Sequence, residues 1–216
     1  MLSEYSKKLV NRIYSFTTKK TTQIPTGVDA DRFKPIKAKK IVRSILGIPE
    51  DRLVLLTVRR LVPRMGLENL VKAIKPLTKD FPELKLYIVG AGPLKQALEK
   101  NIKRAKLEDF VTLTGRVKED DLHMFYQAAD CFILSTRAYE GLGIATLESL
   151  ASGLPVLGTP VGATPEILSK VDKNLLFESA KPEAMEKGIR WFLKKGIKEK
   201  DLSKKARELV CDQYTW

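Results

Sequence analysis

The chain has 216 residues, 44% of them apolar and 30% charged, which excludes intrinsic disorder and leaves room for one full-sized domain or two small ones. No apolar run approaches the ~20 residues that span a bilayer. No secretory signal opens the chain, and two cysteines, Cys131 and Cys211, make neither a disulfide framework nor a metal site. The net charge of +13 sits on the flanks: residues 1–45 contribute +8, residues 46–180 only +1, and residues 181–216 +4. A neutral core argues against a specific nucleic-acid reader, whereas basic flanks suit an anionic membrane surface, RNA, or simply a solvated, lysine-rich exterior. The sequence thus reads as cytoplasmic, able to lie peripherally against the inner face of the membrane.

In chain order, SEYSKKLVNRIYS (3–15) has the spacing of an amphipathic helix, and TTQIPTGVDADRFKPIKAKK (21–40), with Pro25, Gly27 and Pro35, reads as a linker. Short apolar runs then alternate with helical spacing. The strands are LVLLTV (53–58), LKLYIV (84–89), FVTLT (110–114), CFIL (131–134), PVLG (155–158) and NLLF (174–177). The helices between them are LENLVKAIKPL (67–77), PLKQALEKNIKRAK (93–106), EDDLHMFYQAA (119–129), IATLESLAS (144–152) and TPEILSK (164–170). Continuous apolar strands joined by helical crossovers predict a parallel sheet buried on both faces. The fold class is α/β: a doubly wound, Rossmann-like three-layer sandwich of about six parallel strands. Two closing helices follow Lys181, with Pro182 in a first helical turn. The expected division is a leading helix and linker over 1–45, a ligand-binding domain over 46–180, and closing helices over 181–216.

In such a sheet ligands sit outside the carboxyl ends of the strands. After the second strand, Gly90-Ala91-Gly92-Pro93 opens a helix, but Lys95 stands where a dinucleotide fingerprint needs its third glycine, and no ribose-binding acid follows the third strand. After the first strand, Arg59, Arg60 and Arg64 crowd together, an arrangement that favours an anion such as a diphosphate, although at least one should point to solvent. After the fourth strand, Glu140 precedes Gly141-Leu142-Gly143 and a helix beginning near Ile144, with Glu148 in its second turn. The glycines let backbone amides approach a ligand, the helix start favours phosphate, and two carboxylates suit two polyols. His123, Asp29, Asp31 and Cys131 read as structural rather than chemical residues.

The segments IPTGVDADRFKP (24–35), RRLVPRMGLENLVKAI (59–74), YIVGAGPLKQALE (87–99) and VTLTGRV with the following FYQAADCFILSTRAYEGLGIATLESLASGLPVLGTPVGATPEIL (111–168) resemble the C-terminal half of group 1, or family four, retaining glycosyltransferases of GT-B architecture. The most specific match is the pair Glu140 and Glu148, with seven residues between them. The resemblance implies a nucleotide-diphospho-sugar donor site that needs no metal or other cofactor, with UDP the expected nucleotide. By resemblance, Arg60 contacts the diphosphate and Glu140 the sugar hydroxyls, and these two carry catalysis. Gly141, Leu142, Gly143 and Ile144 line sugar and phosphate, Glu148 holds the ribose, and Gly90, Arg64, Arg116 and Val117 complete the donor site. The family pattern places a lysine where this sequence has Met65, a loss that Arg59 or Arg64 is expected to compensate. It also implies a partner, the N-terminal acceptor domain, without which this chain is expected to be inactive. The alternative is a stand-alone nucleotide-sugar-binding or interaction module.

Overall fold

The computed structural model describes residues 1–14 and 21–215. Five parallel strands form one sheet: β1 (Leu53–Val58), β2 (Leu84–Val89), β3 (Val111–Gly115), β4 (Cys131–Leu134) and β5 (Val156–Gly158), in the order β3-β2-β1-β4-β5. Nine helices surround it among the described residues: α1 (Glu4–Ile13), α2 (Lys39–Ile45), α3 (Leu67–Leu77), α4 (Lys95–Arg104), α5 (Leu122–Ala128), α6 (Ile144–Ala151), α7 (Thr164–Val171), α8 (Pro182–Lys194) and α9 (Lys200–Gln213). The apolar runs become central strands because both faces are covered. Leu55, Leu56, Leu86, Ile88, Phe132 and Ile133 are all fully buried. On one side α3 packs against α4 and α8, and on the other α5 packs against α2 and α6, and α6 against α9. From β1 the chain winds outward through β2 to β3, then crosses back to β4 and β5 on the other side of β1. The sequence direction therefore reverses between β1 and β4, and a crevice opens at their carboxyl ends.

Two elements differ from the sequence expectation. The run 174–177 is not a sixth strand: Lys173–Leu175 turn as a short 3-10 helix capped by Asp172, and only a single bridge joins Leu176 to Gly158. Four residues with three leucine or phenylalanine side chains supply burial but not the length to extend the ladder. Conversely, α2 forms within the stretch read as linker. It has no side-chain N-cap and exposes Ile41 and Ile45, so its amphipathic signal is inverted. It is held instead by buried Val42 and by Arg43, whose guanidinium reaches the carbonyls of Ala128, Glu50 and Arg52 and the Asp130 carboxylate at 2.8 Å. Position 15 of the first expected helix lies outside the described residues; within the rest, Glu4–Ile13 form α1 between the caps Ser3 and Tyr14, and its first amides, Glu4 and Tyr5, donate to the Glu166 carboxylate. Near the other end, the amide of Val28 bonds the Tyr214 carbonyl, joining the leading segment to the end of α9. No helix among the described residues is long and apolar enough to cross a membrane.

Candidate functional site

The crevice at the switch between β1 and β4 is built by backbone before side chains. The Arg59 amide bonds Val89 and the Gly90 amide bonds Gly115, so the ends of β1, β2 and β3 are laced together. Leu61 then exchanges bonds with Ala91 and Leu94, which fixes the loop after β1 against the loop after β2. The cleft above these ends has a volume of about 520 Å³ and is lined by Arg59, Arg60, Gly90, Arg116, Val117 and Glu119, among others. A second cavity, of about 320 Å³, lies between Lys39, Asp130, Pro155 and Phe192 at the amino ends of β4 and β5, away from where open sheets hold ligands.

Across the switch, the loop after β4 presents Glu140 on a strained backbone. Tyr139, directly before it, adopts φ +59, a left-handed conformation unusual for a non-glycine residue. The Arg64 guanidinium donates to the Tyr139 carbonyl at 3.0 Å, and Ala163 donates to the Glu140 carbonyl at 3.1 Å, so the bend is held from both sides. The Glu140 carboxylate is buried and accepts from Thr136 Oγ1 at 2.9 Å and from Arg59 Nη2 at 2.9 Å. That ion pair spans the switch point. Beyond it α6 begins after Gly143 without any side-chain cap, and the Thr146 hydroxyl in its first turn is buried without a hydrogen-bond partner.

Glu148 projects from the next turn of α6 and accepts from the Tyr126 hydroxyl at 2.6 Å. Tyr126 is fully buried, stacked on Phe132 at 5.8 Å and met edge-on by Phe33 at 5.6 Å, so the acceptor geometry is fixed from α5. Burial pushes the Glu148 carboxyl above its usual range and Glu119 adds to that rise, while the Tyr126 hydrogen bond and Arg32 oppose it. Burial, then the Glu148 charge, keeps the Tyr126 phenol protonated far above its ordinary range. Arg32 in turn pairs with Glu119 at 3.5 Å and lies over the Phe33 ring. The leading segment therefore props the α5–α6 side of the site.

Of the residues expected from sequence, Arg60, Gly90, Arg116 and Val117 line the cleft together. Glu140 joins it through Arg59. Gly141, Leu142, Gly143 and Ile144 form the turn into α6, with Ile144 exposed, and Glu148 sits one turn further along. Arg64 is drawn outward to the Tyr139 carbonyl, and Arg60 faces solvent, as expected for at least one of the three. Sequence reasoning missed Tyr126, Thr136 and the Arg32–Glu119 pair. Tyr126 lies within α5 and Thr136 just beyond β4, and only the aromatic on the amphipathic α5 offered a signal. His123 Nδ1 is buried without a partner on α5, and Asp29 caps the amides of Asp31 and Arg32 in a turn.

The family model "Glycosyl transferases group 1" matches residues 38–209 of this chain. The chain belongs to that family. It is 31% identical over 202 residues to the GDP-mannose-dependent alpha-(1-6)-phosphatidylinositol monomannoside mannosyltransferase of Mycobacterium tuberculosis (strain CDC 1551 / Oshkosh), a match covering 89% of this chain and 52% of that protein. The chain thus spans about half the length of that curated relative. In fold it is similar to the C-terminal domain of the group 1 glycosyl transferase LpcC from Francisella tularensis, with a TM-score of 0.77 at 21% identity, covering 88% of this chain and 99% of that domain. It is also similar to Anabaena Alr3699/HepE in complex with UDP, with a TM-score of 0.88 at 20% identity, covering 99% of this chain and 58% of that one. The group 1 fold is thus the Rossmann-like half of the GT-B architecture.

Proposed function

We propose that this group 1 domain binds the nucleotide-diphospho-sugar donor of a retaining glycosyltransferase and needs an N-terminal acceptor-binding domain for turnover. The observation that carries the reading is the uncapped start of α6 set between two carboxylates, the buried Glu140 and the half-buried Glu148, across from the arginines that follow β1. A nucleoside diphosphate laid along this line puts its phosphates between the α6 amides and Arg60 and Arg116, its sugar beside Glu140, and its ribose diol on Glu148. As the glycosidic bond breaks, negative charge grows on the leaving diphosphate, where preorganised guanidinium groups and helix-end amides stabilise it without a metal. In the retaining reaction the leaving phosphate accepts the acceptor's proton, so no separate base is required of this domain. The base of the nucleotide is open to direct test: the Mycobacterium relative is named for GDP-mannose, and the Anabaena structure holds UDP. The basic flanks suit a location at an anionic inner membrane face, where a lipid-linked acceptor would lie.

Calorimetric titration with UDP, GDP and ADP tests the reading. One diphosphate is expected to bind saturably, and Glu148→Ala is expected to weaken it by about 10- to 100-fold, since a charged acceptor shared by two hydroxyls is lost. No binding of any diphosphate, or binding indifferent to Glu148, overturns the proposal. The raised Glu148 carboxyl adds a pH signature. Only the ionised form accepts both hydroxyls, so affinity is full above its raised value and weakens as pH falls through it, earlier than an ordinary glutamate would cause. The same titration repeated from about pH 8 to about pH 5 is expected to show this loss, and Glu148→Gln to flatten it.

A further inference from the structure

We propose that Arg59 is a phosphate-binding cation of this cleft, held ready by Glu140; the identity of its ligand as the donor diphosphate rests on the reading above. A guanidinium has five N–H donors, and buried donors are ordinarily all paired. The Arg59 side chain is only 8% exposed, yet it makes one ion pair, to Glu140, and its Nε is buried with no partner. A buried cation with unused donors costs free energy unless an acceptor joins it when the site is in use. Arg59 lines the same cleft as Arg60, Gly90 and Arg116, and its backbone is pinned by the bond to Val89.

The neighbouring positions leave this role to Arg59. Met65 is buried in the core and carries no charge, its carbonyl taken by Ser135 Oγ. Arg64 is exposed and turned to the Tyr139 carbonyl. Arg60 and Arg116 are exposed. Arg59 is already fixed within the cleft, because its partner Glu140 is itself held by Thr136, whereas the bond that holds Arg64 turns it away to the Tyr139 carbonyl. Glu140 thereby acts twice, since besides any contact with sugar it orients the cation.

The competing view is that Arg59 serves only to neutralise Glu140. Calorimetry with inorganic pyrophosphate, and with the diphosphate and nucleoside of one base, separates the two. Arg59→Met is expected to lower pyrophosphate affinity by about 10- to 100-fold and to reduce the ratio of diphosphate to nucleoside affinity by the same factor, with Arg59→Lys recovering part of it. Because Arg59→Met leaves Glu140 buried and unpaired, the decisive comparison is Arg59→Met/Glu140→Gln against Glu140→Gln alone, with thermal melts confirming that both fold. A further loss of about tenfold or more in the double variant supports a direct contact. Equal affinities in that pair, or no pyrophosphate binding by the unaltered chain, overturn it. If pyrophosphate binds through Arg59 but nucleoside diphosphates do not, the donor reading falls while this inference stands. If a diphosphate binds with Glu148 dependence but without Arg59 dependence, the inference falls and the donor reading stands.

Discussion

Gly162→Ala is expected to lower the melting temperature by roughly 8–16 °C and to remove nucleoside diphosphate binding at concentrations that saturate the unaltered chain. Gly162 adopts φ +62, and a Cβ built there would stand 1.7 Å from the Glu140 carbonyl oxygen. That carbonyl is the acceptor for Ala163, the residue before α7, so it cannot retreat without releasing the bend that presents Glu140. The conformational penalty for alanine in the left-handed region is about 1 kcal/mol, and the displaced backbone and the unpaired buried groups raise the total to about 4 kcal/mol. Gly47 provides the comparison. It has φ +65 with nothing within 4 Å, so Gly47→Ala isolates the conformational part and should cost about 1 kcal/mol with binding intact. Differential scanning calorimetry of both variants, followed by titration, reads the two effects separately. A Gly162→Ala protein that melts and binds like Gly47→Ala would show that the loop relaxes freely.

The second large effect lies at the opposite rim of the sheet. Asp130, just before β4, accepts from Arg43 at 2.8 Å, from Lys39 at 2.6 Å and from the amide of Val54 in β1 at 2.8 Å. The Arg43 side chain is only 7% exposed, so Asp130→Ala strands a guanidinium in the interior and opens the amino ends of two neighbouring strands. A loss of about 3–5 kcal/mol is expected. Asp130→Asn keeps an acceptor for Val54 and should lose less, whereas Glu50→Ala, which breaks only the exposed pair with Lys40, should cost under about 1 kcal/mol. Denaturant melts at low and high salt distinguish the sites: the Asp130 effect persists in salt because the pair is shielded from it. An Asp130→Ala cost no larger than that of Glu50→Ala would remove this network from the account of stability.

These residues also show what sequence does and does not encode. The strands β1, β2 and β4 and the helix α3 are legible to the residue because continuous apolar runs and a 3.6-residue period each have one reading. Glu140, Gly141, Gly143 and Glu148 are legible as a group because spacing along one loop and one helix is local. Arg43, by contrast, looks like one more surface charge in a lysine-rich stretch. Its role depends on Asp130, which is 87 positions away and is brought near only when β4 lies beside β1. Arg59 pairing with Glu140 and Tyr126 holding Glu148 are likewise products of strand order. The short run at 174–177 misleads in the other direction, since apolar composition marks burial without marking a ladder.

Strand β4 is only four residues long, yet Asp130 precedes it and Ser135, Thr136 and Glu140 follow it. At about 3.3 Å per residue, the two ends stand more than about 10 Å apart, the range beyond which substitutions add independently. Thermodynamic coupling between the lower rim and the upper rim should then be near zero. Variants chosen at Asp130, Arg43 or Lys39 to tune heat resistance should therefore add independently to variants at Thr136, beyond the far end of the strand. One short strand thus makes the two rims of the sheet separately adjustable.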